Sequence, residues 1–365
     1  MDNTLNVPGS KKNKLALFYS RSKRKLFASH LRLVRMILLF IAALSIVYAL
    51  SGLHSLWLKS AAYHYIEMAQ GFVFPDYYLN NTERYNLLLL GAGGEGHDAP
   101  DLTDTMLLLS IGRVEPRGMA MISVPRDIWI PGTKDKINAS YKIGKEQKSV
   151  EAGLLLARTS VEEILGVKID GAIVVDFSGF REIIDFLGGV DVEVERAFTD
   201  EKYPIAGRES DSCDGDPEFL CRYETVSFET GTVHMDGELA LKFARSRHSS
   251  DPDEGNDLAR AARQQKIIGA IKNKIMSKDF VYSPLRLVQL WKLADSYIEK
   301  DFSDVSLAAV SRIGYDAKDN INAQVLPEEM LTNPPISPQY NNLYVFLPKE
   351  ENWDEVHLWA GSLLP

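Results

Sequence analysis

Arg260, Arg263 and Gln264 stand in the opening turns of a stretch, Asp257 to Lys278, whose spacing predicts one long helix. A helix N-terminus presents unpaired N–H groups and a partial positive charge, so cations there are mildly destabilising unless an anion sits among them. A phosphate meets that need. Arg260 lies four residues from Gln264 and three from Arg263, which puts all three on neighbouring ridges of one helix. Arg245-Ser246-Arg247, just upstream, adds two more guanidinium groups. Each arginine taken singly also reads as a salt-bridged surface residue, with Asp251, Asp253, Glu254 and Asp257 as partners; together, the five polar groups favour an anion site.

Two further stretches bear chemistry. Ser123-Val124-Pro125-Arg126-Asp127 ends a strand, and strand ends on one edge of an α/β sheet are where ligands collect, so Arg126 can join the arginines. Lys136-Ile137-Asn138-Ala139-Ser140-Tyr141 adds a basic, amide-bearing turn. Gly91-Ala92-Gly93-Gly94-Glu95-Gly96 matches the dinucleotide pattern G-x-G-x-x-G, but Pro100 and a second strand follow where a helix would have to open, which excludes a Rossmann turn. The loop behind those glycines carries Asp98, Asp101 and Asp104. Carboxylates beside a pyrophosphate suit Mg²⁺, which takes one or two of them plus phosphate oxygens and water. The same spacing also fits an Asx-turn loop with solvated acids, and both readings stay open.

Short apolar runs bounded by turn residues predict strands at Asn86–Leu90, Thr105–Ile111, Met119–Val124, Ala172–Asp176 and Val190–Val194. Helical spacing predicts helices at Val150–Leu165, ending at Gly166, at Phe180–Leu187 and at Gly237–Ala244. Residues 200–230 read as polar loop and His248–Gly255 as a mobile loop. After the long helix come an amphipathic helix from Pro284 to about Lys300, strands near Ile321–Leu326 and Tyr344–Leu347, and a terminal helix from Asp354. The class is α/β with mixed α+β character: a layered α-β-α domain with a central mixed sheet.

The formal net charge of −9 is unevenly spread. Residues 1–35 hold nine Lys or Arg against one acid, Asp2, a net of +8, which leaves −17 for the rest. An acidic body excludes general nucleic-acid binding, which wants a broad basic surface. The 23 residues Met36 to Leu58 carry no charged side chain and as a helix would be roughly 35 Å long against a hydrocarbon core of about 30 Å. They predict a single uncleaved transmembrane helix, with 1–35 cytoplasmic by the positive-inside rule and everything after Lys59 outside, at the cell membrane; Ser60-Ala61-Ala62 keeps cleavage open. Residues 59–84 read as a stalk. The two cysteines, Cys213 and Cys221, then lie in an oxidising compartment, which favours a disulfide over a reduced pair.

The ordered series Leu102-Thr103-Asp104-Thr105-Met106, Ser123 to Asp127, Lys136 to Tyr141, Val175-Asp176-Phe177-Ser178-Gly179-Phe180, Leu187-Gly188-Gly189-Val190, Ala244 to Arg247 and Asp257 to Gln265 resembles the LytR-CpsA-Psr family. The resemblance covers residues 85 to about 278, implying a catalytic domain over 85–279 with 280–365 packed on or extending it. It implies a membrane-anchored, Mg²⁺-dependent phosphotransferase that moves a glycopolymer from a polyprenyl pyrophosphate carrier to peptidoglycan. Asp104 would bind the metal, and Arg126, Arg245, Arg247, Arg260 and Gln264 the pyrophosphate, with Arg263 beside them. Two family positions differ: Ala92-Gly93 stand where an Asp is usual, and Leu102 where an Arg is usual. Asp98 is the expected substitute carboxylate, with Asp101 behind it. Asp127 is the candidate general base, and the polyprenyl chain needs an apolar slot between sheet and helices. A polyprenyl-pyrophosphate hydrolase and a non-catalytic binder of anionic lipid carriers are the alternatives.

Overall fold

The computed structural model describes residues 40, 43–48, 50–53, 61–79, 83–97, 99–115, 117–208 and 210–364. Most of the expected membrane span, and Asp98, lie outside them. The described part of that span, Phe40, 43–48 and 50–53, is helical and exposed. Among the described residues no helix is long and apolar enough to cross a membrane. The chain divides into two compact units, residues 1–67 and 68–365. In the first, the residues from Ala61 onward begin helix α1 (Ala61–Val73).

The second unit begins before the strand that the sequence suggested as its start. Helix α2 (Pro75–Tyr78) and Leu79 belong to the packed core, and Asp76 pairs with Arg113 at 2.6 Å. Strands β1 (Arg84–Ala92), β2 (Thr103–Gly112) and β3 (Met119–Ser123) follow as an antiparallel meander. Helix α3 (Ser140–Gln147), where the sequence suggested only a turn, leads into α4 (Val150–Leu165). Ser149 caps the start of α4 by accepting from the Ala152 N–H at 3.3 Å, and Gly166 ends it at φ 66°, a left-handed conformation that glycine adopts without strain. Strand β4 (Gly171–Asp176) runs parallel to β1, and helix α5 (Phe177–Phe186) leaves directly from its end, capped by Asp176.

Next come β5 (Val190–Val194), β6 (Phe198–Pro204), β7 (Tyr223–Phe228), β8 (Gly231–Met235) and helices α6 (Gly237–Arg245) and α7 (Asp257–Ile275). The stretch read as polar loop is therefore a β6–β7 hairpin whose connection is closed by a Cys213–Cys221 disulfide. Helix α8 (Pro284–Tyr297) stops three residues short of its expected end, because Ile298–Lys300 forms strand β9 on the sheet edge. Helix α9 (Asp304–Asp316), β10 (Ile321–Val325) and α10 (Asp354–Leu363) follow, with shorter strands and turns between the longer elements. The strand expected near Tyr344–Leu347 shrinks to Leu347–Pro348 and a bridge between Phe346 and Ile128.

The central sheet has the order β9-β4-β1-β2-β3-β10 and is mixed. Its pleat sends Leu88, Leu90, Leu108, Ile122, Ala172 and Val174 to one face, where they are buried against Leu154, Ala157, Val161 and Ile164 of α4 and Val356 and Ala360 of α10. Leu87, Ile111 and Ile173 point to the opposite face, against Ala309, Val310 and Ile313 of α9. Helices thus cover both faces, giving the expected α-β-α layering. Helix α7 crosses this second face, and what positions the site is its N-terminus, brought beside the ends of β2 and β3.

Candidate active site

Asp104 sits at the start of β2 and Arg126 just past the end of β3, an antiparallel neighbour, so the pairing of these strands sets the two side chains together. The Arg126 guanidinium meets the Asp104 carboxylate at 2.9 Å. Arg260, one turn into α7, donates to the Asp104 backbone carbonyl at 2.8 Å and lies 3.6 Å from Asp257. Asn256 caps α7, its side chain accepting from the Ala259 N–H at 2.8 Å. These residues and Gln264 line one cleft of about 250 Å³. Asn138 donates to Asp104 at 3.1 Å, which gives the amide of the Lys136–Tyr141 motif its purpose.

The cleft sets two guanidinium groups, Arg126 and Arg260, among the carboxylates of Asp104, Asp127, Asp257 and Glu328. Burial pushes the Asp104 carboxyl up, but the Arg126 and Arg260 charges outweigh it, and its pKa ends below the usual carboxylate range. Arg260 is almost wholly buried; burial, then the Arg126 charge, lowers its pKa to about 10, with Arg247 adding to the effect and Asp104 and Asp257 opposing it. The Nε donors of both Arg126 and Arg260 are buried without a hydrogen-bond partner among the described residues. An unmade buried hydrogen bond costs roughly 1–3 kcal/mol, more on a charged group. The Arg126 Nε has the Asp127 carboxylate 3.5 Å away, and two guanidinium groups lining one cleft fit a phosphate, which accepts from guanidinium forks.

The other expected residues divide. Arg247 is near enough to Arg260 to lower its pKa, and its backbone N–H is held by the fully buried Asp200 at 2.9 Å. Arg245 lies on a different wall. It stacks over the rings of Phe177 at 4.2 Å and Tyr203 at 5.5 Å, and lines a second, apolar slot of about 290 Å³ between α5, α6, α7 and the sheet. Gln264 and Thr105 line both spaces and form the wall they share. The slot has in turn Ile268 and Ile271 in common with a larger apolar groove of about 630 Å³ further along α7. The apolar slot anticipated between sheet and helices is therefore present, and it leads away from the polar cleft.

Arg263 is not in the cleft. Its guanidinium donates to the carbonyls of Phe243 at 3.1 Å, Glu254 at 3.1 Å and Ser246, and to the Glu254 carboxylate at 2.6 Å. Three residues after Arg260 the helix has turned through about 300°, so Arg263 faces α6 and the 246–254 segment. That segment is tied down where the sequence suggested a mobile loop; for this arginine the local acid proved to be the partner. Asp127 is largely buried but lines the cleft, with Lys136 at 2.5 Å and Arg126 at 3.5 Å. Engaged by two cations, this carboxylate steadies Arg126.

Sequence reasoning missed Glu328, Tyr344 and Phe346, which supply a wall of the cleft from far downstream. Phe346 reaches it because its backbone pairs with Asp127 and Trp129 at 2.9 and 3.0 Å, a contact no local pattern announces. Phe177 and Tyr203, under Arg245, were also missed; Phe177 follows β4 directly, and an aromatic beside a strand end was the available signal. For a metal, Asp104 offers one ionised, partly exposed carboxylate on the cleft wall. Among the described residues the one group of three potential ligands is Asp211, Cys213 and Cys221, and its cysteines are tied in the disulfide. The donors at Asp104 fit a hard cation that takes its other ligands from phosphate and water.

Known proteins share this fold. The chain is 26% identical over 264 residues to the polyisoprenyl-teichoic acid–peptidoglycan teichoic acid transferase TagV of Bacillus subtilis, covering 70% of this chain and 58% of that one. It is 28% identical over 211 residues to the corresponding TagU of Enterococcus faecalis, covering 56% and 57%. The chain thus spans little more than half the length of these curated relatives. The crystal structure of B. subtilis TagV superposes with a TM-score of 0.53 at 23% identity, covering 78% of this chain and 98% of that one. The structure of TagT bound to LI-WTA does so with 0.51 at 21%, covering 78% and 91%. A model of the LytR_cpsA_psr family matches residues 59–358, and the chain belongs to that family.

Proposed function

We propose that the protein is a phosphotransferase that moves a glycopolymer from a polyprenyl pyrophosphate carrier to peptidoglycan. The observation that carries this is the pair of largely buried guanidinium groups, Arg126 and Arg260, lining one polar cleft beside an apolar slot. An isoprenoid with a pyrophosphate head needs a polar and an apolar space side by side, and here Gln264 and Thr105 line both. The named activities of the TagU and TagV relatives support the same class.

In this reading a hydroxyl of a peptidoglycan sugar attacks the phosphorus nearest the glycan. A phosphodiester forms and polyprenyl phosphate leaves. Arg126 and Arg260 stabilise charge on the phosphoryl oxygens, and they are already placed, so no reorganisation is needed at the moment of reaction. Arg247 adds charge from the α6–α7 connection. Arg245, stacked on Phe177 and Tyr203, guards the mouth of the slot where the leaving phosphate joins its chain. Mg²⁺, held by Asp104, would neutralise charge on the pyrophosphate. Asp98 remains the expected second carboxylate; Asp101, the reserve for it, pairs with Lys145 at 2.8 Å and lines a different hollow from the one Asp104 lines.

The deciding experiment supplies the full chain with a lipid-pyrophosphate-linked oligosaccharide and a peptidoglycan oligomer in the presence of Mg²⁺. Covalent transfer is expected, with Asp104→Asn lowering it at least a hundredfold and raising the Mg²⁺ concentration needed for half-maximal rate. Phosphate release without transfer would make the protein a hydrolase, and binding without turnover a carrier-binding protein. The anchor and an extracytoplasmic domain are part of the proposal, supported by the +8 segment before 23 uncharged residues. A reporter that works only outside the membrane, fused after Pro365, should be active; activity of a cytoplasmic reporter there instead would overturn the orientation.

A further inference from the structure

The polar cleft has two ends of different chemistry. Thr105 and Gln264 adjoin the apolar slot; Tyr344 and Glu328 lie by Asp257 at the start of α7, seven residues and about 10 Å of helix before Gln264. With the pyrophosphate against Arg126 and Arg260 and the isoprenoid running past Gln264, the glycan has to leave at the Tyr344 end. We infer that Tyr344 and Glu328 form a subsite for the first sugar of the carrier-linked glycan. This inference rests on the proposed function and adds to it a direction for the ligand.

Tyr344 is 47% exposed, yet it is not loose. The next residue, Val345, is fully buried and its carbonyl accepts from Asn333 at 2.7 Å, and Phe346 is paired with Asp127 and Trp129. The Tyr344 ring packs edge-on against Phe346, with centroids 5.4 Å apart and planes at 79°. An aromatic ring fixed at the rim of a polar cleft offers its face to the C–H side of a pyranose, and because it is already ordered, little conformational freedom is lost on binding. Glu328 opens a short turn that is secured where the Leu326 N–H donates to the Ser123 carbonyl at 3.0 Å. Its carboxylate is a charge-assisted acceptor for sugar hydroxyls.

The charge of this rim selects the ligand class. Asp127, Glu328 and Asp257 all lie close enough to Tyr344 to raise the pKa of its hydroxyl, after the larger effect of burial. Asp127 is paired with Lys136 and Arg126, and Asp257 lies 3.6 Å from Arg260, so Glu328 sets the charge on the Tyr344 side; one carboxylate there disfavours another phosphate and suits a neutral sugar. The subsite is thus fitted to an uncharged first residue, whatever the rest of the polymer carries.

The test compares two probes on the full chain in detergent micelles: farnesyl pyrophosphate, and farnesyl pyrophosphate bearing one N-acetylglucosamine. The parent protein should bind the sugar-bearing probe at least fivefold more tightly. That ratio should fall to near one in Tyr344→Ala and in Glu328→Gln, and persist in Tyr344→Phe, which keeps the ring. Melting temperatures measured alongside separate a lost subsite from a lost fold. A ratio unchanged in Tyr344→Ala, or no preference in the parent, overturns the subsite while leaving the pyrophosphate site standing. Failure of the parent to bind either probe overturns the proposed function and this inference with it.

Discussion

Arg260→Ala will leave the protein as stable as the parent, or slightly more so, while transfer falls thirty- to a thousandfold. The loss corresponds to roughly 2–4 kcal/mol of transition-state stabilisation, the usual worth of one preorganised charged donor. Stability should hold because Arg260 is buried near the start of a helix, next to Arg126, with its Nε unpartnered. Each of those conditions disfavours a cation in the absence of ligand. Thermal melting with and without farnesyl pyrophosphate, beside the transfer rate, gives the answer: the stabilisation by ligand should shrink most. A variant that melts lower yet transfers normally would mean Arg260 is a structural ion-pair partner.

Arg263→Ala should do the reverse. It strips four hydrogen bonds and leaves the Glu254 carboxylate, its side chain 21% exposed, without its cation. Breaking a buried pair from one side costs roughly 3–5 kcal/mol, which lowers Tm by about 10 °C in a unit of this size. The 246–254 segment should open as well, readable as faster amide exchange at Arg247 and His248. Chemical denaturation measures the first effect directly. An unchanged midpoint with abolished transfer would return Arg263 to the substrate.

The contrast between these neighbours shows what a sequence can and cannot disclose. Helical spacing places Arg260, Arg263 and Gln264 within two turns of one another, and the capping residue Asn256 and the acids around it are visible. Spacing does not say how the helix is rotated about its axis on the sheet, and that rotation alone gave Arg260 to the cleft and Arg263 to the loop. Strands β1 to β5 were legible because apolar runs between turn residues leave few other choices. The β6–β7 hairpin was not, since its alternation is broken by charged residues at Glu201 and Lys202 where the register shifts. Strand β9 was hidden by the helix before it: Ile298-Glu299-Lys300 continues the helical pattern until pairing with β4 overrides it. The wall formed by Glu328 and Tyr344 had no local signal, because what makes it a wall is pairing with chain some two hundred residues earlier.

That same long-range pairing constrains how the molecule is assembled. Both edges of the central sheet come from late in the chain, β9 alongside β4 and β10 alongside β3, the latter joining Val325 to Ser123. A nascent chain that has made everything through α7, including every arginine of the site, still holds a four-stranded sheet with both margins open. Open margins invite pairing with other chains, and contacts closed across such separations form slowly. The polypeptide therefore passes through an interval in which its chemistry is fully written but its sheet is unprotected, and holding apart neighbouring nascent copies during that interval becomes a condition of its yield.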